Sequence, residues 1–390
     1  MSFKFIFEKY KSGTATEEEI KIVEDEIEKN ELINEYLSEN IFEEIGKVDV
    51  TEDDTILIKK AVNRRLRKIN ILAVLSVILV FCIINYLILP AYNSLFYDPS
   101  GKIRNEFNQN QLFIDMRAFT ELHLAGYTTD EAEVEALGLG KYDIRVNQNN
   151  KFTQENTIFN GKVVRNKLKT QNNNLYKFPA VNVFYYRDNK SAMYLQEDGS
   201  YTYGQSKEER DLLINIVKEL PKGSVISSYI SFNKDLSLDN LNKLQEKYRF
   251  RARWVAVRTN EIYSGTKIGF DPIGIGGVLA EGTLSDDVYP YFELSNVNDS
   301  IKDSEYVLET HFKTLLKYMS SRQTFIETFF NVNGMSSIMY SEALKYIEDN
   351  GVKLYGMLVY SDVETFLNLV QDENIYTISI DNAKFSVFQR

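Results

Sequence analysis

Cysteine and histidine are both scarce in this chain, which has one cysteine and two histidines among 390 residues. Cys82 lies inside a long apolar run, so no disulfide framework holds the remainder, which must be stabilised by packing alone. His123 and His311 are far apart in sequence, and neither belongs to an H-E-x-x-H motif. No cysteine or histidine precedes Cys82. The sequence therefore predicts no metal site and no cofactor.

Motifs of the common catalytic sites are also missing. The segment GFDPIGIGGVLAEG (269–282) lacks the Lys-Ser/Thr of a P-loop and is not a G-x-G-x-x-G that opens a helix, so we interpret it as a surface turn or a ligand-shaping loop. No G-x-S-x-G elbow or S-x-x-K motif accompanies the serines. The neighbouring carboxylates of Asp286 and Asp287 would point to different faces of a regular element. We predict no catalytic residues and no enzyme activity.

Charge is absent from INILAVLSVILVFCIINYLIL, which runs from Ile69 to Leu89. At ~1.5 Å per helical residue these residues cover about 30 Å, the thickness of the hydrocarbon core of a bilayer. The run begins too far along the chain, and is too long, for the apolar core of a secretory signal. The sequence predicts a single transmembrane helix.

Basic residues flank only one end of this apolar run. Six precede it, namely Lys59, Lys60, Arg64, Arg65, Arg67 and Lys68. The ten residues that follow Leu89, PAYNSLFYDP, contain no lysine or arginine. Because basic residues mark the cytoplasmic side, the N-terminus is predicted inside and the C-terminal region outside. The basic run then lies at the lipid headgroups, and no nucleic-acid binding is predicted.

The segment before the basic run is strongly acidic. Up to Asp54 it has six Lys/Arg and seventeen Asp/Glu, a balance of −11, which equals the formal net charge of the whole chain. Such a segment is repelled by nucleic acid and by anionic lipid, and it attracts a basic protein.

Apolar residues in this acidic segment follow helical spacing. Phe3, Phe7 and Tyr10 form the stripe of a short helix that ends at Ser12-Gly13. Thr16 and Glu19 form a capping box that starts the next helix. Two further stripes follow, Ile20, Val23 and Ile27, then Ile33, Tyr36 and Leu37.

The phase between these two stripes slips near Asn30, which predicts either one bent helix or two short ones. So small a module cannot bury all its apolar stripes internally. They pack on a partner, on each other or on a second copy. A further start signal at Thr51 and Asp54, with no Gly or Pro before Pro90, predicts one helix from about residue 52 through the membrane.

The region after the span is predicted to be an α+β domain. QNQLFIDMRAF (109–119) has the alternation of a half-buried strand. Strand–helix–strand patterns then recur in residues 223–259 and 351–382, which leaves open one ferredoxin-like sheet. The overall fold class is a short all-α cytoplasmic module, a single transmembrane helix and an extracytoplasmic α+β domain.

The predicted domains follow from these patterns. They are a cytoplasmic helical module (1–58), a basic juxtamembrane segment (59–68), the transmembrane helix (69–89), a membrane-proximal external region (90–177) and an external α+β sensor domain (178–390).

The order of several segments resembles the bacterial sigma-factor-regulator family of membrane-anchored anti-sigma factors, including the anti-sigma-M type. These segments are FEKYKSGTATEEEIKIVEDEIEKNELINEYL, KKAVNRRLRKIN, the span, FTELHLAGY, RARWVAVRT and GFDPIGIGGVLAEGTL. The resemblance implies that the cytoplasmic helices bind an extracytoplasmic-function (ECF) sigma factor and release it on an envelope signal. The implied binding residues are Phe3, Phe7, Tyr10, Ile20, Val23, Ile27, Ile33, Tyr36 and Leu37.

Two mechanisms of release fit this resemblance, a conformational change of the regulator and its proteolysis, and the sequence favours neither. The external partner is an envelope ligand or another membrane protein. The alternative function is a membrane-anchored external binding protein or envelope enzyme whose cytoplasmic tail serves only to orient the chain.

Overall fold

The computed structural model describes residues 3–45, 52–101, 109–170, 184, 193–195, 201–203, 205–261, 267–274, 284–330 and 335–385. It comprises two compact units, Met1–Ile84 and Asn85–Arg390. Each unit has its own packed elements.

The first unit opens with two helices, α1 (Phe3–Lys11) and α2 (Glu17–Ile45). The chain leaves α1 through Gly13, whose φ of 71° lies in the region that glycine adopts at low energy. The predicted capping box is confirmed: the Thr16 N–H donates to Glu19 Oε2 at 3.0 Å, and the Glu19 N–H donates to Thr16 Oγ1 at 3.4 Å. Helix α2 continues past Asn30, so the phase slip does not divide it.

The third helix, α3 (Glu52–Ile83), is followed directly by one π-helical turn (Ile84–Ile88) and by α4 (Leu89–Asn93). The prediction of a helix from about residue 52 through the apolar run is therefore confirmed. Its part Val62–Asn93 is long and apolar enough to cross a membrane, with a mean hydropathy of 2.9 in its most apolar window. None of that window is buried inside the molecule, which separates it from the core helix of a globular domain.

The second unit corrects one prediction at its start. Gln111–His123 is helix α5 and not a strand. Every residue from Leu112 to His123 is buried, so both sides of the presumed alternation face the interior and the two-residue period carries no information. The Asn110 side chain caps this helix by accepting from the Phe113 N–H at 2.9 Å.

A four-stranded antiparallel sheet follows α5. Its strands are β1 (Tyr127–Gly138), β2 (Lys141–Asn150), β3 (Asn156–Val164) and β4 (Leu168–Thr170), and they lie side by side in chain order. Tyr142, Ile144 and Val146 alternate on the buried face of β2 and join the same core as α5. Two short strands, β5 (Met193–Leu195) and β6 (Tyr201–Tyr203), pair with each other.

The larger sheet contains both predicted strand–helix–strand units. The first is β7 (Ser224–Leu236), α7 (Leu238–Tyr248) and β8 (Ala252–Val257). The second is β10 (Leu354–Asp362), α12 (Val363–Leu369) and β11 (Ile375–Phe385). The strand order is β11-β7-β10-β8-β9, antiparallel throughout, so the first strand of each unit lies between strands of the other.

Helix α6 (Lys207–Lys218) begins with a capping box at Ser206 and Glu209, and it packs against α12 and β11. Three further helices between the two sheet units were not anticipated from the sequence: α9 (Glu305–Ser320), α10 (Gln323–Phe330) and α11 (Ser337–Asn350), preceded by the short α8 (Asp299–Lys302). They contribute Phe312, Phe325 and Phe329 to a core that also contains α5 and residues of both larger sheets. Regions 90–177 and 178–390 thus share one hydrophobic core.

The glycine-rich segment is in part a strand. Gly269 and Phe270 form β9, which pairs with β8 at the edge of the larger sheet, and both residues are buried. The surface-turn interpretation is therefore wrong for these two residues. Position 269 also requires glycine, because an alanine Cβ there would lie 2.0 Å from the Val255 carbonyl oxygen. Residues 275–282 lie outside the described residues.

Candidate functional site

The first two helices pack as a pair. Ile6 of α1 and Val23 of α2 are the buried apolar residues of the described part of this pair, with exposures of 8% and 0%. Lys9 Nζ of α1 lies 2.8 Å from Glu19 Oε1 of α2. The hydrogen bond from Lys9, together with that from the Thr16 backbone, lowers the pKa of Glu19. An apolar pair and an ion pair thus hold the two helices together.

The predicted binding residues fall into two groups by their exposure. Phe7, Tyr10 and Ile20 are partly buried, and Val23 is fully buried. The rings of Phe3 and Phe7 stack with centroids 6.1 Å apart. The exposed members are Phe3, Ile27, Ile33, Tyr36 and Leu37. Val23 therefore stabilises the helix pair, whereas the exposed group offers apolar surface to solvent.

Three more large apolar residues of this pair are exposed and were not among those expected, namely Phe5, Ile22 and Leu32. Leu32, Ile33, Tyr36 and Leu37 recur at helical spacing, with Tyr36 exposed to 67%. Exposed acidic side chains at Glu28, Glu31 and Glu35 flank them. The second half of α2 is thus an apolar stripe bordered by carboxylates.

All six basic residues predicted to orient the chain are exposed on α3, before and within the start of the candidate membrane helix. They are Lys59, Lys60, Arg64, Arg65, Arg67 and Lys68. Tyr86, at the other end of that helix, is exposed to 77%. This arrangement is typical of a bitopic helix with one basic flank and one aromatic flank.

The second unit contains a buried carboxylate with an unusual number of donors. Asp115 of α5 is fully buried, and its two oxygens accept from Tyr97, Gln111 and Tyr318 at 2.6 to 3.0 Å. Arg322 donates to both oxygens in a bidentate pair at 2.7 and 2.8 Å. Asp115 thus links four segments, namely the residues that follow α4, helix α5, helix α9 and the α9–α10 turn.

A second polar cluster lies further along α5. Arg117 Nη2 donates to Glu293 Oε2 at 2.7 Å, and burial raises the pKa of Glu293 to about 7. His311 donates through Nδ1 to the Tyr291 carbonyl at 2.7 Å and through Nε2 to Glu121 at 2.8 Å. Burial opposes the charge of His311, but the Glu121 carboxylate raises its pKa above the usual value. The Glu121 carboxylate therefore favours the protonated form of His311.

His123, the other histidine, is held neutral. Its Nδ1 lies 3.0 Å from the Lys267 carbonyl and must donate to it, so Nε2 accepts from the Tyr340 hydroxyl at 2.8 Å. Burial lowers the pKa of His123 to about 4. Each histidine thus has a structural role within the buried hydrogen-bond network.

Neither histidine belongs to a metal-binding cluster, since no group of three or more His, Cys, Asp or Glu suited to a metal ion occurs among the described residues. An open polar groove of about 1000 Å³ lies at the end of β7 and β10. Asn233, Asp235, Arg258, Asn350 and Lys353 are among its lining residues. Arg258 Nη2 donates to Asp235 Oδ1 at 2.9 Å, so the principal cation of the groove is already paired.

Comparison with known families defines the class of protein. Residues 217–382, which include both strand–helix–strand units, match the family described as sigma factor regulator C-terminal. With a candidate membrane helix and an acidic helix pair preceding this match, the chain is similar to sigma factor regulators.

A curated relative extends this likeness to almost the whole chain. It is the protein named Probable anti-sigma-M factor YhdL from Bacillus subtilis (strain 168), which is 22% identical over 384 residues. The alignment covers 97% of this chain and 96% of the relative, so it includes the helix pair, the candidate membrane helix and the second unit. No solved structure matches the chain.

Proposed function

We propose that the chain is a membrane-bound anti-sigma factor that sequesters an ECF-type sigma factor through α1 and α2 and releases it on an envelope signal. The observation that carries the proposal is the exposed apolar stripe on an acidic helix, formed by Leu32, Ile33, Tyr36 and Leu37. A small helical pair that leaves such residues in water gains stability by covering them with a partner.

The chemistry of the partner follows from the charge around this stripe. The segment up to Asp54 has a balance of −11, and Glu28, Glu31 and Glu35 are exposed beside the apolar residues. A partner with an apolar groove rimmed by basic side chains is complementary in both respects. In this proposal Phe3, Ile27, Ile33, Tyr36 and Leu37 contact the sigma factor, and Val23 acts by holding the helix pair.

The topology of the proposal rests on the basic run. An excess of basic residues marks the cytoplasmic side of a membrane helix. The run Lys59, Lys60, Arg64, Arg65, Arg67 and Lys68 therefore supports a topology with the N-terminal helices in the cytoplasm, where a sigma factor is found, and the second unit outside. The interleaved order of its two strand–helix–strand units supports a ferredoxin-like sheet in that outer domain.

The test is retention of a sigma factor on membranes that contain the full chain. The candidate is the product of any sigma-factor gene adjacent to that of this chain, and each remaining ECF sigma factor of the organism is assayed in turn. We expect retention by the unsubstituted chain and by Leu212→Asp, which alters an exposed leucine of the outer unit. The double variant with Ile33→Asp and Leu37→Asp places two carboxylates in the stripe. It should reduce retention at least tenfold, equivalent to about 1.4 kcal/mol. Undiminished retention by the doubly substituted chain, or retention of no sigma factor at all, would refute the proposal.

A further inference from the structure

The β1–β2 hairpin ends in an unusual loop. Leu139 and Gly140 connect the strands with φ values of 55° and 68°, the signs required by a type I′ turn. Asn, Asp or Gly normally occupies the first of these positions, because a leucine there is strained. Leu139 is moreover 45% exposed, as is Leu137 two residues earlier. A strained and exposed leucine has no local explanation, which points to a role in an interaction.

The loop lies against the chain that leaves the candidate membrane helix. A Cβ at Gly140 would lie 2.9 Å from Cδ2 of Phe96, three residues after that helix ends at Asn93. The Arg165 N–H donates to the Gly140 carbonyl at 2.8 Å, and the Arg165 guanidinium lies 5.8 Å from the ring centroid of Tyr92. Both the hairpin loop and the β3–β4 turn therefore pack on the end of the helix.

This position coincides with the expected membrane boundary. Aromatic residues concentrate where a transmembrane helix meets the headgroups, and Tyr92 and Phe96 lie there with ring centroids 5.2 Å apart. Leu95, between them, is 69% exposed. Because Gly140 packs closely against Phe96, the exposed side chains of Leu137 and Leu139 lie near this aromatic pair.

Three basic side chains and one exposed carboxylate, Asp98, which accepts a hydrogen bond from Tyr142, lie around the loop. Lys141, Arg165 and Lys167 are exposed on β2 and the β3–β4 turn. Glu135 and Asp143 lie further along β1 and β2, and Asp143 pairs with Lys162 at 3.1 Å. Each lysine or arginine close to an anionic leaflet contributes about 1 kcal/mol to binding.

We propose that these residues form a lipid-binding patch, composed of Leu95, Leu137, Leu139, Lys141, Arg165 and Lys167, that seats the outer domain on the phospholipid surface. The leucines enter the boundary between headgroups and acyl chains, and the cations contact lipid phosphates. The membrane thereby covers the apolar tip of the hairpin. This inference is independent of sigma-factor binding.

The test is tryptophan quenching in the full chain reconstituted into nanodiscs with bromine on the lipid chains near the headgroups. Trp254, the single tryptophan, is 1% exposed, and its signal is measured with the unsubstituted chain. We expect bromine to quench the added emission of Leu139→Trp by about half, because interfacial side chains lie ~5–10 Å into this boundary. The matched control, Leu212→Trp on α6, should be unaffected. Leu137→Trp serves as a second reporter if the first variant does not fold.

Quenching of L139W and L137W no greater than that of L212W would overturn the proposal and assign the loop to a protein partner or a second copy. The contribution of the cations is tested by lipid charge. We expect L139W to be quenched more in phosphatidylglycerol discs than in phosphatidylcholine discs, and less after Lys141→Gln and Lys167→Gln are added. Equal quenching of L139W in both lipids and of the variant that also carries Lys141→Gln and Lys167→Gln would refute the role of the cations.

Discussion

The hydroxyl of Tyr97 donates a 2.7 Å hydrogen bond to Oδ2 of Asp115, a carboxylate with no solvent exposure. Tyr97 lies four residues beyond the end of the candidate membrane helix, and its ring also packs on Phe325 and Phe329. Its backbone N–H donates to Asn166 Oδ1 at 2.7 Å. The chain that follows the candidate membrane helix is therefore anchored directly in the core of the second unit.

Tyr97→Phe removes one of the donors to Asp115 while preserving the ring. A hydrogen bond to a charged group contributes about 1.5–3 kcal/mol, and four other hydrogen bonds to Asp115 remain, so we expect a loss near the lower end of this range. Chemical unfolding of the detergent-solubilised chain measures it. Tyr306→Phe, the same change at a ring that is 71% exposed, should stay within about 0.5 kcal/mol of the unsubstituted chain. Equal losses in both variants would contradict the anchor.

Arg322→Met tests the charge balance at the same carboxylate. It leaves Asp115 buried without its cation, and we expect a destabilisation of about 3–5 kcal/mol. Adding Asp115→Asn removes the uncompensated charge, so the double variant should be more stable than R322M alone. Urea unfolding of R322M, D115N, the double variant and the unsubstituted chain gives the coupling free energy between the two side chains. A double variant that loses the sum of both single effects would show that the two side chains are not coupled.

We expect His123 to make the stability of the second unit sensitive to acid. Because burial lowers its pKa from 6.5 to about 4, the unfolded chain binds one more proton than the folded chain between these values. The contribution of His123 is complete above pH 6.5 and is lost as the pH falls toward 4, a change of roughly 3 kcal/mol. Glu293 acts in the opposite direction. Because its pKa is raised to about 7, its contribution to the free energy of unfolding is lost as the pH rises toward this value.

The two effects are separated with His123→Gln, which keeps a donor for the Lys267 carbonyl and an acceptor for Tyr340 but does not titrate. We expect its unfolding free energy to decline less between pH 6.5 and 4 than that of the unsubstituted chain. Unfolding curves measured at several pH values provide the comparison. Parallel pH profiles would show that His123 does not control acid stability.

Val23 and Ile27, one helical turn apart on α2, should respond differently to the same substitution. Val23 has no exposed surface, so Val23→Asp buries a carboxylate without a partner, and we expect a loss of at least ~3 kcal/mol and rapid proteolysis of residues 1–45. Ile27 is 43% exposed, and Ile27→Asp should leave the helix pair intact. Limited proteolysis of the full chain in detergent distinguishes the two variants. Equal resistance would contradict the packing of the pair.

Sequence patterns predicted the elements that have one dominant local signal. The capping box at Thr16 and Glu19, the helix through the apolar run and both strand–helix–strand units all carry such signals. Helix α5 was misassigned because its buried surface includes Asp115, Arg117, Glu121 and His123, whose hydrogen-bond partners lie up to 217 residues away in sequence. Periodicity cannot anticipate such partners.

The helix-pair residues show a similar limit. The spacing of Phe3, Phe7 and Tyr10 correctly placed α1, but Ile6 is the residue of this helix that is buried. Stripes in a sequence identify apolar faces without indicating whether a face packs inside the module or remains exposed. The exposed stripe at Leu32, Ile33, Tyr36 and Leu37 becomes apparent only when burial is known.

The strand order also determines when the larger sheet can form during synthesis. Strand β7 hydrogen-bonds only to β10 and β11, which begin at Leu354 and Ile375, more than one hundred residues later in the chain. This interior strand is therefore synthesised with both edges open, and it stays so until nearly the whole polypeptide has been made. A nonsense mutation between Leu236 and Leu354 would leave the candidate membrane helix and the helix pair in a chain whose larger sheet lacks both neighbours of β7.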